Sequence, residues 1–288
     1  MGIGIAAAQI LLELKNLGKF KDLKSVAEIG SQEIHFKKKD LEDLYLQSGL
    51  DPSNLSKYDN IDNWPKQPRA SSKKFYEDLG FSDYSSIDIN NEHGAIPLDL
   101  NYELKDKKLF NKFDVVTDFG SCEHIFNVSE CYKTIHKILK VNGLIIIIQA
   151  VSGGNGFFLY DRSFLDGIVA ANNYDILYSS YIVKTGTKTT SMSDKQFHIP
   201  LSKDLVNTLK SSKDLSICMV LRKKKDENFK IPYQGNLLLE KYNSYGFNRI
   251  YSKDDLSTSY IPQYEIEKIS FTVLLKDFLR RFKKKLKI

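Results

Sequence analysis

Leu139-Lys-Val-Asn-Gly-Leu-Ile-Ile-Ile-Ile-Gln-Ala150 is the stretch on which the fold turns. Leu144 to Ile148 is apolar without polar alternation, as a central strand covered on both faces requires. Just upstream, Tyr132, Ile135, Ile138 and Leu139 share one helical face. Ser129 suits the N-cap, Glu130 the positive end, Lys137 and Lys140 the negative end, and Gly143 reads as the stop. A helix that delivers the chain into a buried strand is half of a βαβ unit, and the alternation extends both ways. Further strands are expected at Ser25–Ile29, Ser85–Ile89, Ile96–Leu100, Phe113–Asp118, Asp175–Val183 and Leu215–Arg222, with helices over 38–47 and 70–79. That pattern is α/β with a parallel sheet.

Of the 288 residues, 42% are apolar and 27% charged, ordinary for a globular chain and far from a disordered or fibrous one. The net charge of +6 sits in one place, where Lys276, Arg280, Arg281, Lys283, Lys284, Lys285 and Lys287 face a single acid, Asp277. Residues 1–275 are therefore neutral overall, which argues against a nucleic-acid partner, since that needs several phosphate-neutralising side chains on one surface. Cys122, Cys131 and Cys218 are odd in number and lack metal-type spacing, which favours free thiols in a reducing compartment. Ile3 to Leu12 reads as a first amphipathic helix and not as a signal peptide, because no Lys or Arg precedes it. No apolar run approaches the ~20 residues that a bilayer span needs. The expected location is cytoplasmic.

In an open parallel sheet, ligands bind beyond the carboxyl ends of the strands. There the sequence places Glu28-Ile-Gly30-Ser31-Gln32, then Asp88-Ile-Asn90, Asp99-Leu100, Asp118 to His124, and Gln149 to Gly154. These suit a nucleoside that carries a charged amino-acid arm. Gly30 lets the backbone approach a ligand closely. Asp88 can accept both hydroxyls of a ribose, Asp99 can accept from an adenine amine, Leu100 can cover the ring and Phe119 can close the other side. His124, beside Glu123, offers an imidazole nitrogen that can take a proton from an acceptor.

The order Glu28-x-Gly30, Asp88, Asp99, Phe113-Asp114 to Glu123-His124, then Lys140-Val-Asn-Gly-Leu-Ile, resembles the class I S-adenosylmethionine-dependent methyltransferases over roughly residues 24–151. The resemblance implies a Rossmann-like, doubly wound, mostly parallel seven-stranded sheet with an antiparallel last strand. It implies S-adenosylmethionine as cofactor and methyl transfer to an oxygen or nitrogen of a small molecule or glycan. It puts Glu28, Gly30, Ser31, Gln32, Asp88, Asp99, Leu100 and Phe119 at the cofactor, with Glu123 and His124 as the catalytic pair. Part of that family binds a divalent metal through Glu-x-x-Glu-His; Gly120 stands in place of the first carboxylate here, so no metal is expected.

Gln32 and Ile34 occupy positions where the family's loop commonly has glycine, which suits a second reading, a non-catalytic binding or scaffold protein on the same fold. A nucleotide-dependent enzyme of another kind, such as a dehydrogenase, is a third. The Asp/Asn/Ser/Pro-rich segment 50–69, with Trp64, reads as an inserted loop or lid, and Gly153-Gly-Asn-Gly156 as an acceptor-binding loop or a simple connector. His35, His93, His136 and His198 read as structural or exposed. The expected organisation is a methyltransferase domain over 1–223, an irregular extension over 224–270 and a basic tail over 271–288. In that tail Phe271, Leu274, Leu275, Phe278, Phe282 and Leu286 form a helical stripe, which either lies on an anionic membrane surface or packs on the domain.

Overall fold

The computed structural model describes residues 2–185, 195–199 and 214–233. In chain order they form β1 (Gly2–Ile3), α1 (Ile5–Asn16), β2 (Ser25–Ile29), β3 (Glu33–Ile34), α2 (Lys38–Gln47), α3 (Lys73–Leu79) and β4 (Asp83–Ile87). Then follow β5 (Phe113–Phe119), α4 (Val128–Ile138), β6 (Leu139–Ser152), α5 (Arg162–Asn172), β7 (Asp175–Thr185), β8 (Lys195–Ile199) and β9 (Leu215–Arg222). A seven-stranded sheet runs β4-β2-β5-β6-β9-β7-β8, and β1 pairs separately with β3. β4, β2, β5 and β6 are parallel neighbours, and β9 enters antiparallel between β6 and β7. The chain winds outward from β2 to β4, then crosses to the other side at β5. This reversal opens a crevice between the ends of β2 and β5.

Alternate side chains of β6 point to opposite faces, and both faces are covered. Leu144 and Ile146 join the core shared with α1, α2 and α3; Ile145 and Ile147 join the core shared with α4 and α5; none is more than 2% exposed. α1 is embedded and not amphipathic as expected: Ala6, Ala7, Ala8, Ile10, Leu11, Leu12 and Leu14 bury almost its whole circumference. Its first turn is held by β8. The Ala6 amide donates to Gln196 Oε1 at 2.9 Å, and the Ala6 carbonyl lies 2.9 Å from His198 Nε2. A carbonyl only accepts, so Nε2 carries the proton and Nδ1 accepts from Ser180 Oγ at 2.9 Å. Burial holds His198 down at about 4, and the ring is neutral.

Some boundaries depart from the sequence expectation for local reasons. Ile96–Leu100 is not a strand: Ile96 makes one parallel bridge to Ile87, and Pro97, with no N–H, cannot extend the ladder. The sheet reaches seven strands because β8 takes the opposite edge. β4 stops at Ile87, where Asp88 turns the chain by accepting from the Asn90 amide at 3.2 Å. α4 begins after Asn127 and ends at Ile138, well before Gly143. Its last turn is closed by the buried Lys223, whose Nζ donates to the carbonyls of His136 at 3.0 Å and Leu139 at 2.9 Å. Gly143 sits inside β6, where a Cβ would lie 2.8 Å from the Asp114 carbonyl oxygen. The insertion 50–69 packs Tyr58 and Ile61 onto the first core. Residues 224–233 carry neither helix nor strand, while 234–270 and the tail 271–288 lie outside the described residues. Among the described residues no helix is long and apolar enough to cross a membrane.

Candidate active site

At the end of β2, Gly30 adopts φ +86°, a left-handed conformation that favours glycine, and its amide donates to the Ile87 carbonyl at 2.8 Å. The turn brings the Ser31 amide to Asp88 Oδ2 at 2.9 Å and Ser31 Oγ to the Glu92 carbonyl at 2.7 Å. Asp88 thus holds the β2 loop and retains lone pairs for a further donor. Asp99 is set by Asn101, whose backbone and side-chain amides donate to its Oδ1 at 2.9 and 2.8 Å. Gly30, Asp88, Asp99 and Leu100, with Ser121 and His124 opposite, line a cleft of about 220 Å³.

The other wall begins at the end of β5. The buried Asp118 accepts from the amides of Ser121 and Cys122, each at 3.1 Å, and from Gln149 Nε2, which fixes a tight turn through Gly120. Burial raises the Asp118 carboxyl, while these hydrogen bonds oppose the rise. Ser121 Oγ donates to the Ile29 carbonyl and accepts from Gln32 Nε2, so the β2 and β5 loops are tied across the switch point.

Next in this turn stand Glu123 and His124. Glu123 is 6% exposed; its Oε2 accepts from the Ala150 amide at 3.1 Å and its Oε1 lies 3.6 Å from His124 Nε2. Burial raises the Glu123 carboxyl toward the neutral form. His124 borders the first cleft and also a passage lined by Phe119, Gly120, Glu123 and Asn155. That passage shares Phe119, Gly120 and Glu123 with the lining of a second cleft of about 290 Å³. Ile148 and Ile182 form part of its floor, and the start of α1, His35 and Trp64 face it from the other side. Trp64 stacks on His35 with ring centroids 4.1 Å apart and lies beneath Arg69, which is paired with Glu33 at 2.9 Å. Burial, helped by positive neighbours that include Arg69, pushes His35 down to about 3 and keeps it neutral.

A sheet wound both ways from β2, with β9 antiparallel between β6 and β7, decides the architecture, and the glycine turn after β2 meets the acid that follows its neighbour β4. The fold is a Rossmann-like, doubly wound α/β sheet. No protein-family profile and no curated protein sequence matches the chain. Solved structures similar to it include a SAM-dependent methyltransferase from Archaeoglobus fulgidus (TM-score 0.38, 11% identity, covering 74% of this chain and 93% of that one). Another is the N-methyltransferase NodS from Bradyrhizobium japonicum in complex with S-adenosylhomocysteine (0.38, 9%, 75% and 86%). A third is 1,6-didemethyltoxoflavin-N1-methyltransferase from Burkholderia thailandensis (0.35, 12%, 76% and 79%).

Within this fold, Gly30, Asp88, Asp99 and Leu100 come together in the first cleft, and Glu123 meets His124 in the passage. Three other expectations are corrected. Glu28 is fully buried, and its Oε2 accepts from Ser72 Oγ at 2.7 Å, the Tyr84 hydroxyl at 2.8 Å and the Gln32 amide at 3.3 Å. Gln32, 1% exposed, reaches Ser121 from beneath the loop. Side chains without solvent access offer no surface to a ligand, so both shape the loop and leave contact to its backbone. Phe119 lines the second cleft and the passage instead of covering the cleft of Asp99 and Leu100. Ser31 spends its hydroxyl on Glu92, which leaves the loop backbone as its remaining contribution. Asp118, His35 and Trp64 were given no site role from sequence; Asp118 stands at a strand end two residues before Gly120, a signal that could have marked it.

Proposed function

We propose that the protein is an S-adenosylmethionine-dependent methyltransferase acting on an oxygen or nitrogen of a small molecule. The observation that carries this reading is the convergence of Gly30, Asp88, Asp99 and Leu100, from three separate segments, on one cleft that meets a second cleft at Glu123 and His124. The donor set fits the cofactor. Asp88 supplies a carboxylate for two ribose hydroxyls, Asp99 Oδ2 accepts no hydrogen bond among the described residues and suits an adenine amine, and Leu100 is apolar. When bound, the cofactor supplies a methyl group already activated on a sulfonium.

The chain's own contribution is then mainly positioning and exclusion of water. Asp118 and Ser121 hold the turn rigid, and the insertion bearing Trp64 covers the acceptor side. Glu123, raised by burial, and His124, at hydrogen-bonding range of a group in the passage, take the proton that the acceptor's heteroatom loses. A glycan acceptor is part of the same proposal and has no separate support in the clefts.

Calorimetry with S-adenosylhomocysteine is expected to give a heat of binding, and Asp88→Ala to lose more affinity than Asp99→Ala. Two charge-assisted bonds to a ribose, and the Ser31 anchor, are lost in the first, one bond in the second. No heat at millimolar ligand would end the reading, and binding of NAD in its place would point to a dehydrogenase. Tight binding without turnover would favour the non-catalytic reading, for which the bulky Gln32 beneath the loop is the support.

A further inference from the structure

Two phenylalanines stand at the passage between the clefts. Phe126 and Phe157 are 74% and 68% exposed, yet their rings meet edge to face with centroids 5.8 Å apart and planes at 90°. Phe126 lies two residues beyond His124 and Phe157 two beyond Asn155, and His124 and Asn155 line the passage together with Glu123. The loops that carry the rings are firmly placed. A Cβ on Gly156 would lie 2.5 Å from the Glu123 carbonyl oxygen, and the Phe158 amide donates to that same oxygen at 3.3 Å. On the other side the Asn127 amide donates to Asn101 Oδ1 at 2.9 Å and Asn127 Nδ2 to the Asn101 carbonyl at 3.0 Å. The backbone that positions Glu123 therefore also positions the rings. Leu159, 56% exposed, packs against the same loop at Gly154 and prolongs the apolar surface.

An open depression with a buried carboxylate, two residues in sequence on each of its two loops from an exposed aromatic step, matches a ligand with both characters. We propose that the acceptor is a small amphiphile, with its nitrogen- or oxygen-bearing end at Glu123 and His124 and its apolar chain or ring on Phe126 and Phe157. Its role as acceptor rests on the methyl-transfer reading above; its binding does not. A flat apolar patch would equally suit a second copy of the chain. Continuity with the passage favours the amphiphile, because the step begins two residues from the groups that would hold the polar end.

The test is calorimetry of the whole chain with n-butyl-, n-hexyl-, n-octyl- and n-decylamine as monomers below their micelle concentrations. Affinity is expected to rise about fourfold per methylene laid on the step. The rise should vanish in Phe126→Ser/Phe157→Ser with n-butylamine binding unchanged, and survive in Phe126→Leu/Phe157→Leu. The two rings are exposed, so neither variant removes core packing. An equal rise in the serine variant, or no dependence on chain length in the native protein, would overturn the proposal. So would capture of decylamine-containing phosphatidylcholine vesicles without binding of the monomer, since that assigns the step to a bilayer, or a concentration-dependent dimer lost in the serine variant. If the amines bind with this slope while S-adenosylhomocysteine does not bind, the amphiphile site stands and the methyl-transfer reading falls.

Discussion

Glu28 and His198 are both buried, and burial moves them in opposite senses. Glu28 is raised from 4.5 to about 7, so its contribution to stability is fully present below about 4.5 and is lost as pH rises through about 7. His198 is lowered from 6.5 to about 4, so its contribution is present above 6.5 and is lost as pH falls through about 4. Between these values the two slopes oppose each other. In Glu28→Gln the falling slope due to Glu28 is removed, and stability should climb with pH from 4.5 to 7 relative to the native chain, by on the order of a few kcal/mol. Urea midpoints at the two ends of that range check it, and parallel midpoints in both proteins would count against a protonated Glu28. At the reacting centre, His124→Ala should slow turnover roughly 10²- to 10⁴-fold while weakening S-adenosylhomocysteine less than Asp88→Ala does. Unchanged turnover would leave proton removal to Glu123 or to water.

β2, α2 and β9 coincide with their sequence expectations because local chemistry marks their ends: Gly30 after β2, and an uninterrupted apolar or periodic run within each. The expected strand Ile96–Leu100 failed on Pro97, a local signal outweighed by the apolar pattern around it. β8 was invisible for the opposite reason, since its five residues become a strand only through β7 and α1, contributed by distant parts of the chain. The site divides along the same line. Gly30 and Asp88 follow strands directly and were legible, while Asp99 and Leu100 reach the cleft although the strand expected to carry them did not form. Glu28 was misplaced although the alternation carries the answer, because it shares the face of Val26, which lies in the core of α1, α2 and α3. Trp64 and His35 meet only in the folded chain. For β6, Gly143→Ala would set a Cβ 2.7 Å from Leu139 Cδ1 and 2.8 Å from the Asp114 carbonyl oxygen. Such overpacking should lower stability by about 1–3 kcal/mol in thermal unfolding. An unshifted midpoint would mean that the entry to β6 yields freely.

Across the molecule, charge and site are separated in sequence: the clefts belong to a body without net charge, and all of the excess lies in 276–288. We propose that this tail attaches the protein to anionic membrane surfaces. At roughly 1 kcal/mol per basic residue near such a surface, half of its charges would give measurable, salt-sensitive binding. Deleting 271–288 is expected to weaken sedimentation with phosphatidylglycerol vesicles at low salt and leave cofactor affinity intact; a full-length chain that ignores those vesicles removes the idea. A different whole-molecule consequence follows from the anchoring of α1. Its first turn waits for Gln196 and His198, which leave the ribosome 190 and 192 positions after Ala6. At the usual pace of synthesis, roughly 5–20 residues per second, that interval lasts roughly 10–40 s. Through it the nascent helix can have α2 and α3 beside it but no β8, and the apolar surface at its first turn stays open to neighbours on the polysome.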